Sequence, residues 1–207
     1  MIAIGSFVLL IALALATPAP AADPAASLAD QCVQCHGRDG RSTDPRIPNL
    51  AGQPSDYLVA QLWDFRKRRF VSDNPYWRAE RRDPTMNHEA TDLGDDAIED
   101  LAAHFSRLSC GPAPNDDLPA PPQAAAGCAV CHGGRGIGAE PMVPNLAGQN
   151  ARYLAIQMRN FGDAASVQRG AGGAKRRTHP SIASPATVVA ESDVESLAAY
   201  YAALPCR

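Results

Sequence analysis

The chain is poor in large aromatics, with 2 Trp, 5 Tyr and 5 Phe among 207 residues. A small domain with so few rings buries a limited core and is marginal alone. Alternating apolar and polar runs of the kind that mark half-buried strands are missing, so the expected class is all-α. Charge is also scarce. A net charge of −3 argues against nucleic acid as a partner. The balance is uneven along the chain: residues 23–110 carry 11 Lys/Arg against 15 Asp/Glu, and residues 111–207 carry 8 against 7. A partner that docks by charge would meet two different halves. Long apolar runs are confined to Ile2–Ala16. That run is short for a bilayer span of about 20 residues, and Ala19-Pro20-Ala21 behind it fits an A-x-A cleavage site. Residues 1–21 are therefore expected to be a signal peptide, although no Lys or Arg precedes the run. No integral membrane segment is expected after cleavage.

What the chain does have, it has twice. Cys32-Val33-Gln34-Cys35-His36 recurs 96 residues later as Cys128-Ala129-Val130-Cys131-His132. C-x-x-C-H is the signature of c-type haem attachment. Two thiols add across the haem vinyl groups and the adjacent His supplies an iron ligand. A zinc site would need a second ligand pair near each motif, and a thioredoxin site would sit in a β-α-β pattern. Neither context is present. The cofactor expectation is two covalently bound haem c groups. Cys32, Cys35, Cys128 and Cys131 are the attachment residues, and His36 and His132 are iron ligands. Each haem would also fill out a core that its domain lacks the side chains to build. Attachment of c-type haem outside the bacterial cytoplasm agrees with export, so the expected location is the periplasm.

The 96-residue offset extends beyond the motifs. Pro48-Asn49-Leu50-Ala51-Gly52-Gln53 matches Pro144-Asn145-Leu146-Ala147-Gly148-Gln149, and Leu101-Ala102-Ala103 matches Leu197-Ala198-Ala199. This is a domain duplication, expected as domains at 22–110 and 123–207. Residues 111–122 form a linker with five prolines, which favours an extended, semi-rigid path. Three helices are expected in each half: Ala25–Gln34, Ser55–Arg66 and Asp96–Leu108 in the first, Gln123–Val130, Ala151–Phe161 and Asp193–Leu204 in the second. Tyr57, Leu58, Gln61, Leu62 and Phe65 fall at helical spacing. Ser192 with Glu195 reads as a capping box. The remaining cysteines, Cys110 and Cys206, each end a repeat, and in an oxidising compartment they are expected to pair. Free thiols are the alternative.

In order within each half come C-x-x-C-H, P-N-L-A-G-Q, Y-L-x-x-Q and a late L-A-A-Y/H helix. This arrangement resembles the dihaem cytochromes of the c4 type, built from two tandem class I cytochrome c domains. The resemblance covers nearly all of the chain after residue 21. It implies a few helices around one covalent haem in each domain, a pseudo-twofold between the domains, and electron transport between redox partners. It also implies that the Pro48 and Pro144 carbonyls accept the N–H of His36 and His132. A Met before the last helix would be the sixth ligand. In the first half that residue is Met86, with His88 as its local rival.

The second half departs from this pattern, because the offset puts Ile182 where Met86 stands. Met142 lies beside the Pro144 motif and Met158 reads as core. His179 is then the candidate sixth ligand, with an open site, Lys175 or Met142 as alternatives. Imidazole favours ferrous iron less than thioether does, so the two haems would differ in potential. The expected function is an electron carrier between partners such as a membrane oxidase, reductase or dehydrogenase. The alternative is a dihaem enzyme or sensor, peroxidase-like or gas-binding, with an open second haem. Arg66-Lys67-Arg68-Arg69 is either a docking patch or a solvated helix end.

Overall fold

The structure, a computed structural model, describes residues 27–66, 81–111, 118–167, 176–177 and 189–206. The first half contains α1 (Asp30–His36), α2 (Ser55–Arg66), β1 (Arg81–Arg82), α3 (Pro84–Ala90) and α4 (Asp95–Arg107). The second contains α5 (Ala125–His132), α6 (Ala151–Val167), β2 (Arg176–Arg177) and α7 (Glu191–Ala203). The all-α expectation holds. The described strands are the two-residue β1 and β2, whose antiparallel ladder pairs Arg81 with Arg177 and Arg82 with Arg176 across the two halves. Among the described residues no helix is long and apolar enough to cross a membrane. Residues 1–21 and 112–117 lie outside the described residues, and with them the expected signal peptide and half of the expected linker.

The cores follow from helical periodicity. Ile98, Leu101, Ala102 and Phe105 on α4 are buried, as are their repeat mates Val194, Leu197, Ala198 and Tyr201 on α7. Each set steps i, i+3, i+4, i+7 and forms one stripe. The α4 stripe meets Ala29 and Leu58, and the α7 stripe meets Ala125, Leu154 and Ala155. Burying each large apolar side chain stabilises its domain by roughly 1.5–3 kcal/mol.

Three expectations about the helices need correction. The helix α3 was not expected. The sequence Asp83-Pro84 starts it, with Pro at its first position and Asp83 Oδ1 accepting from the Thr85 and Met86 backbone N–H groups at 3.1 and 3.4 Å. The helix α6 runs to Val167 rather than Phe161. The capping box at Ser192 does not form, because α7 begins at Glu191 with Ala190 as its cap and no side-chain bond there. Glu195 cannot fold back onto the helix start, because it pairs with Arg159 of α6 at 2.8 Å, alongside Glu191 at 2.6 Å. Those two bonds hold the Arg159 guanidinium above its ordinary pKa.

The two halves face each other through the repeated P-N-L-A-G-Q segments. Gln53 Nε2 donates to Asn145 O at 2.8 Å, and Asn145 N donates back to Gln53 Oε1 at 3.0 Å. Asn49 Nδ2 donates to Gly148 O and Asn145 Nδ2 to Gly52 O, both at 3.0 Å. Residues of each half thus make the same bonds to the other, which is a pseudo-twofold. Asn150 breaks the symmetry. Its Nδ2 donates to Ile47 O at 2.7 Å, and its repeat mate is Pro54, which has no side-chain donor. A disulfide between Cys110 and Cys206, with Cα atoms 6.0 Å apart, joins the ends of the two repeats.

Candidate haem-binding sites

Both attachment motifs end a helix. In α1, Cys32, Cys35 and His36 stand at i, i+3 and i+4, which places all three on one side. In α5, Cys128, Cys131 and His132 do the same. Each helix then stops at a glycine, Gly37 with φ +80° and Gly133 with φ +70°. A left-handed residue there reverses the chain without a Cβ penalty. At Gly37 an added Cβ would also collide with the Arg41 carbonyl oxygen.

The reversed loop returns to the helix in the same way in both halves. Leu50 N and Ala51 N donate to Gly40 O at 2.8 and 3.1 Å, and Leu146 N and Ala147 N donate to Gly136 O at the same distances. That brings Pro48 and Pro144 under the imidazoles. His36 Nδ1 lies 2.9 Å from Pro48 O, and His132 Nδ1 lies 2.9 Å from Pro144 O. A carbonyl oxygen only accepts, so Nδ1 carries the proton in both. The metal-binding lone pair then belongs to Nε2, the tautomer that a proximal ligand requires. Together with the two thiols on the same helix face, this chemistry fits a covalent haem with a histidine-ligated iron. Burial pushes the Cys32 thiol above its ordinary pKa, with Glu89 adding to the shift. Burial also raises Cys128, opposed by a hydrogen bond from the Tyr201 hydroxyl. Among the described residues no cluster of three or more His, Cys, Asp or Glu side chains could hold a bare metal ion.

Met86 sits half-buried in the first turn of α3. Asn87 fixes that turn, donating from Nδ2 to Phe65 O at 2.7 Å and accepting from Asp83 N at 3.0 Å. The helix thereby docks on the C-terminal end of α2. His88, the local rival, is exposed. In the second half, His179, Ile182 and Lys175 lie outside the described residues. Met142 is half-buried in the loop before Pro144, and Met158 packs against the second core, as expected.

Arg66 is engaged structurally. It pairs with Asp95 at 2.6 Å, donates to Leu93 O at 3.0 Å and lies over the Trp63 ring at 5.6 Å. It therefore ties the end of α2 to the start of α4, and residues 67–69 lie outside the described residues. His104 packs edge-on against Phe105. The sequence reading missed the Asn and Gln residues at the seam, the Asp83–Asn87 turn and Tyr201. The seam residues did leave a signal, since polar Asn and Gln are repeated within an otherwise apolar motif.

A family profile described as cytochrome c matches residues 22–109 and 123–204. The chain is 35% identical over 170 residues to cytochrome c4 of Pseudomonas aeruginosa, covering 74% of this chain and 78% of that one. It is 28% identical over 199 residues to the thiosulfate dehydrogenase electron acceptor of Stutzerimonas stutzeri, covering 87% and 81%. The crystal structure of reduced recombinant cytochrome c4 from Pseudomonas stutzeri superposes with a TM-score of 0.64 at 27% identity, covering 90% of this chain and all of that one.

Proposed function

Because the chain belongs to the cytochrome c family, as a dihaem member of the cytochrome c4 type, we propose that it relays electrons in the periplasm through two covalent haems in unlike coordination. The protein is an electron carrier that passes electrons between redox partners. The enzyme or sensor reading is not favoured by its relatives.

Bound haem supplies an iron that cycles between ferric and ferrous. The residues of the chain do the rest. Cys32 and Cys35 tether one haem, and Cys128 and Cys131 the other. His36 and His132 bind iron, each held in tautomer and orientation by its proline carbonyl. Fixed ligands reorganise little when the charge changes. Met86 is the sixth ligand in the first half and favours the ferrous form. His179 is the sixth ligand in the second half, giving that haem the lower potential. The single observation that carries the reading is the duplicated 2.9 Å bond from His Nδ1 to a proline carbonyl.

The relatives named as electron acceptors of a thiosulfate dehydrogenase favour a dehydrogenase as electron donor, with an oxidase or reductase downstream. Low-temperature EPR of the oxidised, haem-loaded protein, beside a His179→Ala variant, tests the assignment. Two low-spin signals, one turning high-spin in the variant, are expected. A high-spin signal already present in the parent and unchanged in the variant overturns His179 as ligand. Rapid turnover of peroxide would restore the enzyme reading.

A further inference from the structure

The carbonyl beneath each haem-motif histidine is one end of a peptide group whose other end reaches the opposite half. Pro48 C=O and Asn49 N–H share one peptide plane. The carbonyl oxygen lies 2.9 Å from His36 Nδ1, and the N–H donates to Gln149 Oε1 at 2.7 Å. Pro144 C=O and Asn145 N–H form the matching plane. Its carbonyl oxygen lies 2.9 Å from His132 Nδ1, and its N–H donates to Gln53 Oε1 at 3.0 Å. A single peptide group therefore links each histidine to a glutamine of the other half.

Both glutamine side chains are buried and held at two points. Gln149 Nε2 donates to Asn49 O at 2.9 Å, and Gln53 Nε2 donates to Asn145 O at 2.8 Å. A carbonyl only accepts, so the amide nitrogen faces it and the amide oxygen faces the N–H. These second bonds fall on the next peptide group along, so they do not compete for the carbonyl under the histidine. Gln149 Oε1 also accepts Asn150 N at 3.0 Å. The matching residue in the first half is Pro54, which has no N–H.

Resonance joins the N, C and O atoms of a peptide group. An acceptor at the N–H pushes electron density toward the carbonyl oxygen, and chained hydrogen bonds strengthen one another, more so away from water. The oxygen then pulls harder on the Nδ1 proton and makes the imidazole a more basic ligand. A more basic ligand favours ferric iron, and hydrogen bonding behind the axial ligand is one lever on haem potential. We infer that Gln149 and Gln53 are positioning residues for electron transfer that act crosswise: each polarises the iron-binding histidine of the other half through one peptide group and lowers that haem's potential. This rests on His36 and His132 as the iron ligands proposed above. Each haem then reaches its working potential only while the halves are closed on each other. The seam has a part in redox function beyond joining two domains.

The test compares Gln149→Met, Gln53→Met and Gln149→Glu in the haem-loaded protein. Spectroelectrochemistry reads the two potentials, and nitrogen-edited NMR of the reduced protein reads the Nδ1–H signals of His36 and His132. Methionine keeps the side-chain length without the amide, and glutamate keeps an oxygen for the Asn49 N–H. Gln149→Met should raise one wave and move the His36 signal upfield, with His132 unmoved. Gln53→Met should raise the other wave and move His132 alone. Gln149→Glu should raise neither wave and move neither signal upfield. Unmoved waves, the same wave rising in both methionine variants, or a histidine signal moving in the substituted half overturn the inference. So does Gln149→Glu behaving as Gln149→Met, because a loosened seam would then be the cause. Should one methionine variant fail to load haem, the other decides alone by the same crossing. A histidine signal without the haem ring-current shift in the parent would instead remove the ligand reading, a failure separate from that of the glutamines.

Discussion

Asn49 and Gln149 close a two-bond ring across the seam between the halves: Asn49 N donates to Gln149 Oε1 at 2.7 Å, and Gln149 Nε2 donates back to Asn49 O at 2.9 Å. The amide side chain thus behaves as a short piece of strand, satisfying both backbone groups of a residue in the other half. Gln53 does the same for Asn145, and both glutamines are 5% exposed. A buried backbone group left without a partner costs about 1–3 kcal/mol. Gln149→Ala should therefore destabilise the haem-loaded protein by about 1–3 kcal/mol, and Gln53→Ala by a similar amount. Urea unfolding checks this. A midpoint unchanged in both variants would show that water replaces the amides and that the ring contributes nothing.

The Cys110–Cys206 disulfide closes the seam at its far end. It joins residues 96 apart and packs so tightly on Gly148 that a Cβ there would lie 2.9 Å from Cys206 Cβ. Closing a loop of that length restricts the unfolded chain and typically stabilises by about 2–4 kcal/mol. The Cys110→Ser, Cys206→Ser double variant should lose about that much and should be cleaved sooner within the linker by added protease. Equal cleavage rates with and without the bond would mean that the amide ring and the β1–β2 ladder suffice to hold the halves together.

Much of this was legible from residues alone because duplication prints each signal twice. The motifs at Cys32 and Cys128, the apolar stripes of α4 and α7 and the pairing of Cys110 with Cys206 all follow from local pattern or parity. The rest depends on encounters that the sequence does not encode locally. Seven residues of α3 are too few to show helical periodicity, so only Asp83-Pro84 hinted at a start. Glu195 fits a capping box by spacing, yet Arg159, far away in sequence, takes it. Gln53 and Gln149 are ordinary polar residues until the other half is placed opposite them.

Met86 is the proposed sixth ligand of the first haem, and the α3 cap sets its position. Met86→Ala should turn one of the two haems high-spin in EPR and lower its potential, because the thioether that favours ferrous iron is gone. Asp83→Ala leaves the ligand in place and removes its cap. It should cost about 1 kcal/mol of stability with both haems still low-spin. If Met86→Ala left both EPR signals untouched, the ligand would have to be sought elsewhere, with exposed His88 the first candidate.

Asp44 gives a pH dependence with a definite sign. Hydrogen bonds from the Arg46 side chain and backbone, at 3.0 Å and 2.7 Å from the guanidinium and 2.9 Å from the N–H, lower its pKa to about 2. A carboxylate whose folded pKa is depressed contributes its stability fully above the unfolded value, and that contribution is lost as pH falls through the folded value. For Asp44 the window therefore runs from the ordinary carboxylate range down to about 2. The pair is exposed, so salt should narrow the window by screening. Carboxyl NMR titration should place the Asp44 midpoint near 2 in the parent and raise it part of the way toward the ordinary range in Arg46→Ala, where the backbone N–H bond remains. The loop also meets the other half, where Asn150 donates to Ile47 O, so the variant should loosen this contact as well. An Asp44 midpoint in the ordinary range in the parent would show that Arg46 does not hold the carboxylate in solution.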